Sequence, residues 1–401
     1  MNRYVSKIIA DFHPKSLTNC WPGFHPGPYA LYNSRNAYIV NHPHFKNRGN
    51  YLRRIKAGDI FAGDTLILFD GLPTAIVNFD RYKNLNKLFA VLVHELFHGY
   101  QYMQGENRFP NELLGATYPV SAENFQLRNE ERRHLYYAYM EQAKEKKQKH
   151  IHQFVSMREK RKAFIDDYLN YEKLIETIEG PALYVEAKAY ADRRFLSIKE
   201  IAKEYGAILL DSNESSLNLR KSCYSSGMFL CLLLDELYNG WHENFMNSDL
   251  SLYDFFIKTI HVEPDSILHF DINQETEQLV SIVRDKKVKE FQTFLEKPGY
   301  KLIIRAPMQM IRLDPMNIIY LDHRFLHKNF IEIKIQDDIF HFEEPIITQF
   351  KNNPWKCEEI QIIRDQKPEI KNGFLQLTSN KKLKGTLKKK GDSFIFYPAP
   401  M

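Results

Sequence analysis

The chain has 401 residues, 44% of them hydrophobic and 26% charged, with a formal net charge of +5. That length and apolar content support two or three domains with cores of their own, and exclude a disordered tail or a disulfide-stapled miniature. So small a net charge gives no whole-molecule footprint for nucleic acid, and no nucleic-acid partner is expected.

The amino-terminal segment MNRYVSKIIADFHPK has its apolar run broken by Lys7 and Asp11, so it is not expected to act as a secretory signal. Residues 1–81 are rich in Pro, Gly, Asn and aromatic residues. Strand-like runs occur there at 37–40, 65–69 and 74–79, the last two separated by a turn at Asp70-Gly71-Leu72-Pro73. They predict a hairpin that delivers the chain to a helix from Asn84 to about Met103, in which Leu85, Leu88, Phe89, Leu92, Val93 and Leu96 recur at helical spacing and Asn84 is the N-cap. From Ser121 to Glu179 there is no Gly and no Pro. One rod of that length would reach on the order of 90 Å, so a fold-back is expected near Lys146–His150. The basic cluster from Lys144 to Lys162, with its interleaved glutamates, reads as a solvated helix face. Further helices are expected at about 182–204 and 224–238.

After Pro298-Gly299 the pattern changes to alternation with period two, as in Phe330–Gln336, punctuated by turn pairs such as Asn372-Gly373 and Gly391-Asp392. Residues 297–401 therefore predict a β-rich domain, with the basic segment Lys381–Lys390 as a solvated hairpin. The expected organisation is α+β: a β-rich segment (1–81) belonging to a helical unit (82–296), then the C-terminal β-rich domain. Cys20, Cys223, Cys231 and Cys357 lack CxxC spacing, and the pair eight apart on a helix is separated by roughly 12 Å of rise, too far for a disulfide. They read as reduced packing residues of a cytoplasmic chain. No run approaches the roughly 18 apolar residues of a membrane span, so no membrane partner is expected.

Within the first predicted helix stands His94-Glu95-Leu96-Phe97-His98. Residues four apart on a helix lie one turn above each other, so both imidazoles face one point. Zn²⁺ accepts neutral imidazole nitrogen, and a catalytic zinc takes three protein ligands and keeps a position for water, whose pKa it lowers toward about 7. Glu95, next to the first ligand, is placed to take that water's proton and return it to a leaving group. His94 and His98 are thus candidate metal ligands and Glu95 a candidate catalytic base.

Two later segments extend the pattern: Glu179-Gly180-Pro181-Ala182-Leu183-Tyr184, and Tyr224-Ser225-Ser226-Gly227. With HELFH they make the chain resemble the gluzincin metallopeptidases, in particular the aminopeptidase-N-like branch, across about residues 65–240. The resemblance implies a mainly helical gluzincin-like catalytic domain, Zn²⁺ as cofactor, Glu179 as third ligand, Tyr224 as oxyanion donor, and a peptide or protein substrate. It also implies a strand edge ahead of the zinc helix that holds extended substrate by main-chain hydrogen bonds, for which residues 74–79 are the candidate. Pro181 places Glu179 at or just before a helix start. About 80 residues separate His98 from Glu179, far more than in that branch, so residues 105–175 form an insertion expected to stand over the cleft as a fixed cap or a lid. The branch's Gly-x-Met-Glu-Asn motif is absent, and Glu95 is the first glutamate of the chain.

Two other readings compete. A non-catalytic zinc-containing binding or scaffold protein would use the same ligands, although it would not require Glu95. A di-iron carboxylate protein would use the paired elements Glu95-x-x-His98 and Glu131-x-x-His134, yet no glutamate precedes Glu95 to complete its ligand set.

Overall fold

The computed structural model describes residues 3–12, 14–45, 52–265, 269–378 and 380–400. Half of the described residues (50%) are helix and 25% are strand, an α+β composition with the strands gathered near the two ends of the sequence. Among the described residues no helix is long and apolar enough to cross a membrane. The chain forms two compact units, Met1–Pro110 with Glu123–Ile272, and Asn111–Ala122 with Asn273–Met401. The helix 274–295, assigned from sequence to the helical part, groups with the β-rich unit, as does the piece 111–122 of the expected insertion.

The first unit begins with α1 (Arg3–Asp11) and α2 (Pro14–Cys20), followed by strands β1 (Tyr29–Tyr32), β2 (Asn36–Val40), β3 (Leu52–Lys56), β4 (Thr65–Phe69) and β5 (Leu72–Asn78). They form one sheet in the order β3-β2-β1-β5-β4, with β1 and β5 parallel. Successive side chains point to opposite faces. Tyr29, Leu31, Tyr38, Val40, Ala75 and Val77 therefore join the large helical core, whereas Ala30, Tyr32, Ala37, Ile39 and Ile76 form a smaller cluster with Phe61. The β4–β5 hairpin is the expected one. Asp70 and Gly71 turn it with φ of 46° and 78°, the paired positive angles that make Asp-Gly a favoured two-residue hairpin turn. β4, not β5, is the edge strand: β5 lies between β1 and β4, because its run Pro73–Val77 is buried and takes partners on both sides.

Helix α3 (Leu85–Met103) starts at Asn84, whose Oδ1 accepts from the N–H groups of Asn86 and Lys87 at 2.8 and 3.3 Å. After α4 (Glu112–Ala116) come α5 (Ala122–Met140) and α6 (Lys144–Arg194). The fold-back falls at 141–143, earlier than expected, because Glu141 Oε1 accepts from the backbone N–H groups of Gln142 and Ala143 and stabilises a turn there. α6 is kinked at Asp166 (φ 22°, ψ −94°). The helix expected at 182–204 is divided at Phe195 (φ 54°) between α6 and α7 (Ile198–Leu210), the latter opened by a Ser197/Glu200 capping box. α8 (Ser212–Leu217), α9 (Leu219–Leu237), α10 (Trp241–Met246) and α11 (Leu252–Ile260) complete the unit.

Pro181 lies inside α6 rather than in a first turn, so Glu179 is a helix-interior residue. A proline there costs about 3 kcal/mol through its missing N–H and ring clash, and tertiary packing carries the helix across it. Gln101 Nε2 of α3 donates to the Ile178 carbonyl at 2.9 Å. Gly180 of α6 meets Gly227 of α9 so closely that a Cβ on Gly180 would lie 2.6 Å from Gly227 Cα. These are the glycines of the two segments singled out in sequence. Gly227→Ala is expected to lower stability by about 1–3 kcal/mol, since the added Cβ would meet the Glu176 carbonyl oxygen at 2.7 Å. Denaturant unfolding measures it, and an unchanged midpoint would contradict the close crossing.

Helices α5, α6 and α9 are joined by buried charges, among them Arg158 and Arg161 from the Lys144–Lys162 cluster expected to be a solvated face. Arg128, Arg132, Arg158 and Arg161 are at most 1% exposed, and Glu131, Glu172 and Glu176 are fully buried. Arg158 grips Glu176 through both carboxylate oxygens, at 2.7 and 2.8 Å, and Glu131 at 3.0 Å. Arg161 holds Glu131 at 2.8 Å and also pairs with Glu172. Ser226 of α9 donates to Glu176.

In the second unit, helix α12 (Gln274–Leu295) is followed by a sheet of eleven strands among the described residues. Ile331, Ile333 and Ile335 are buried and Glu332 and Lys334 half-buried, as the period-two pattern requires. Phe291 and Phe294 of α12 pack on Leu321, Leu326 and Ile347. Lys381–Lys390 is one ten-residue strand rather than a hairpin. It pairs with strands on both sides, its lysines exposed and Leu383 buried.

Candidate metal centre

Three helices of the first unit build the site. α3 presents His94, Glu95 and His98, α6 presents Glu179, and α9 presents Tyr224. His94 Nε2 and His98 Nε2 are 3.2 Å apart, and Glu179 Oε2 lies 3.5 and 3.3 Å from them. Three corners of a tetrahedron with metal–ligand bonds of about 2.0–2.1 Å are roughly 3.3 Å apart. The donor set, two imidazole nitrogens and one carboxylate oxygen, therefore fits a four-coordinate ion with one position left for water. Among the described residues no other three His, Cys, Asp or Glu side chains converge in this way.

A surrounding layer fixes these donors. Glu186, two helical turns after Glu179, brings Oε2 to 3.0 Å from His94 Nδ1, while its Oε1 accepts from Lys87 Nζ and Tyr205 Oη, each at 2.8 Å. Gln101, one turn after His98, brings Oε1 to 2.8 Å from His98 Nδ1. Gln101 holds His98 Nδ1 by a hydrogen bond and Glu186 lies within ion-pair distance of His94 Nδ1, which leaves both Nε2 atoms for the ion, as where a carboxylate or amide orients a metal-bound histidine. Arg220, one turn before Tyr224, donates from Nη2 to Glu179 Oε1 at 2.8 Å and from Nε to the Tyr224 hydroxyl at 3.2 Å. Tyr224 stacks beside His94, with ring centroids 6.2 Å apart and planes 22° from parallel. Sequence reasoning assigned no role to Glu186, Gln101 or Arg220. The available signal was their spacing of three, four or seven residues from a candidate, which puts them on the same helix face.

Electrostatically the pocket calls for positive charge. Burial opposes charge on His94, but the carboxylates of Glu179 and Glu186 overcome it and raise its pKa to about 10. His98 is raised in the same way, burial being outweighed by Glu179. Glu179 is held well below the usual carboxylate range, its burial penalty overcome by His98 and His94. Burial also works against the charge on Glu186, yet His94 and Lys87 bring it down to about 2. A divalent cation would take the place of the imidazole protons, so metal uptake releases protons. Burial raises the Glu95 carboxyl, an effect that the neighbouring imidazoles moderate. Burial and then Glu179 raise the Tyr224 phenol, leaving it a proton-bearing donor at neutral pH.

All five residues named from sequence, His94, His98, Glu179, Glu95 and Tyr224, come from these three adjoining helices. The other Glu-x-x-His element lies elsewhere: Glu131 is bound by Arg158 and Arg161, and His134 Nδ1 faces His150 Nδ1 at 2.8 Å. No protein-family model, curated protein or solved structure matches the chain.

Proposed function

We propose that the protein is a zinc-dependent metallohydrolase of the gluzincin type, a peptidase that cleaves amide bonds in peptide or protein substrates. The observation that carries this reading is the convergence of His94 Nε2, His98 Nε2 and Glu179 Oε2 at 3.2–3.5 Å from helices about 80 residues apart in sequence. Zn²⁺ held by these three would supply Lewis acidity toward the scissile carbonyl and make water more acidic. Glu95, 7% exposed, takes the proton of the attacking water on its carboxylate and passes it to the leaving nitrogen. The Tyr224 hydroxyl donates to the oxygen that becomes negative as the carbonyl is attacked.

The edge strand β4 supports an extended substrate. It runs beside α3, where Leu66 Cδ1 would lie 3.4 Å from a Cβ on Gly99, and its side away from β5, unpaired among the described residues, offers main-chain groups for strand addition. The buried ion pairs of α5 and α6 favour a fixed wall over a moving lid for this part of the insertion. Four buried free cysteines suit a reducing, cytoplasmic location.

The test is metal-free purification, reconstitution, and assay against a library of amide substrates. One zinc per chain is expected, with hydrolysis that a chelator abolishes and zinc restores. Zinc uptake without cleavage of any member would leave a binding protein, and absence of zinc uptake would remove the proposal altogether.

A further inference from the structure

From the α9 side Arg220 reaches into the site, its side chain 24% exposed beside a Glu179 carboxylate that is 8% exposed. The two oxygens of Glu179 are divided between partners: Oε2 faces both imidazoles, and Oε1 accepts from Arg220 Nη2 at 2.8 Å. The guanidinium is itself held in place, because its Nε donates to the Tyr224 hydroxyl at 3.2 Å. We propose that Arg220 is a positioning residue of the metal centre, which ties back the outer oxygen of Glu179 so that the carboxylate ligates through one oxygen only. The inference rests on reading His94, His98 and Glu179 as metal ligands.

The physical reason lies in carboxylate rotation. A carboxylate near a divalent ion can swing to offer both oxygens, which fills the coordination position that water needs. A charge-assisted hydrogen bond to Oε1 resists that swing. Arginine suits the task because its planar fork meets two acceptors at once in fixed directions. A lysine at the same position would carry the same charge on a flexible stem, without the fixed planar fork. Arg220→Lys therefore leaves the local charge in place and removes the geometry.

The experiment uses Co²⁺ as the probe, bound by metal-free full-length protein, with its visible absorption as the readout; band intensity falls as coordination rises from four to five. Wild type is expected to show the intense spectrum of a four-coordinate ion, and Arg220→Lys the weaker spectrum of a five-coordinate one. Zinc affinity of that variant, measured by chelator competition, is expected to fall about 10–100-fold. In a Glu179→Gln background the same Arg220 substitution should leave the residual affinity unchanged, since it acts through Glu179. An unaltered spectrum and affinity in Arg220→Lys would overturn the inference while leaving the metal site standing. Failure of wild type to take up Co²⁺ would instead overturn the reading beneath it. Should Arg220→Lys not fold, Arg220→Gln, which also loses the fork, gives the same spectral decision.

Discussion

Replacing Glu95 by glutamine is expected to leave zinc bound at one per chain and to reduce amide hydrolysis by about 10²–10⁴-fold, the range for loss of a positioned proton-transfer group. Glutamine keeps the volume and polarity of Glu95 but cannot accept the proton of water. The atoms that could hold the metal belong to His94, His98 and Glu179, and Glu95→Gln leaves all three in place. Glu179→Ala is the contrasting case. It removes the carboxylate that faces both imidazoles and leaves two nitrogens from a single helix turn, so zinc and activity are expected to be lost together. Metal analysis beside an activity assay separates the two outcomes. Comparable loss of zinc in both variants would refute the division between ligand and base, and full activity in Glu95→Gln would remove Glu95 from the chemistry.

The second large effect concerns stability. Arg158→Met is expected to cost about 3–5 kcal/mol, the consequence of taking one partner from a buried ion pair. Arg158 is fully buried and holds Glu176 at 2.7 and 2.8 Å and Glu131 at 3.0 Å. Methionine fills much of its volume yet leaves two carboxylates in a low-dielectric interior with fewer cations. Glu176 lies one helical turn before Glu179, so the loss should extend to the metal centre and lower zinc affinity as well. Denaturant unfolding with and without metal measures both, and a change within about 0.5 kcal/mol would place Arg158 among ordinary surface substitutions.

The same network sets an acid limit. Burial acts to raise the Glu172 carboxyl, but Arg161, Arg128 and Arg132 overcome this and hold it far below its ordinary value of 4.5. A group depressed in the folded state contributes stability that is complete above its unfolded pKa and is lost as the pH falls below it. Unfolding free energy is therefore expected to decline from about pH 4.5 downward.

Much of this molecule is legible locally. Apolar spacing defined α3, Asn84 its cap, and Asp70-Gly71 the hairpin before it; alternation defined the strand at Ile331–Ile335. The i, i+4 spacing of His94 and His98 states by itself that both rings face one point. These features depend on dihedral preference and helix or strand period, which a short stretch of residues carries alone. Other features depended on partners distant in sequence. The Arg/Glu-rich stretch around Arg158 and Arg161 has the composition of a solvated face, and only complementary charges on α5 and on the later part of α6 make it interior. Pro181 would end an isolated helix, and the contact of Gly180 with Gly227 keeps α6 running through it. Which strand forms the sheet edge depends on pairing between β1 and β5, some 40 residues apart, and Glu179, Glu186 and Arg220 gather around the two histidines only because three helices cross at one place. Local sequence fixes which way a side chain points from its own element, whereas burial, pairing and convergence are properties of several elements together.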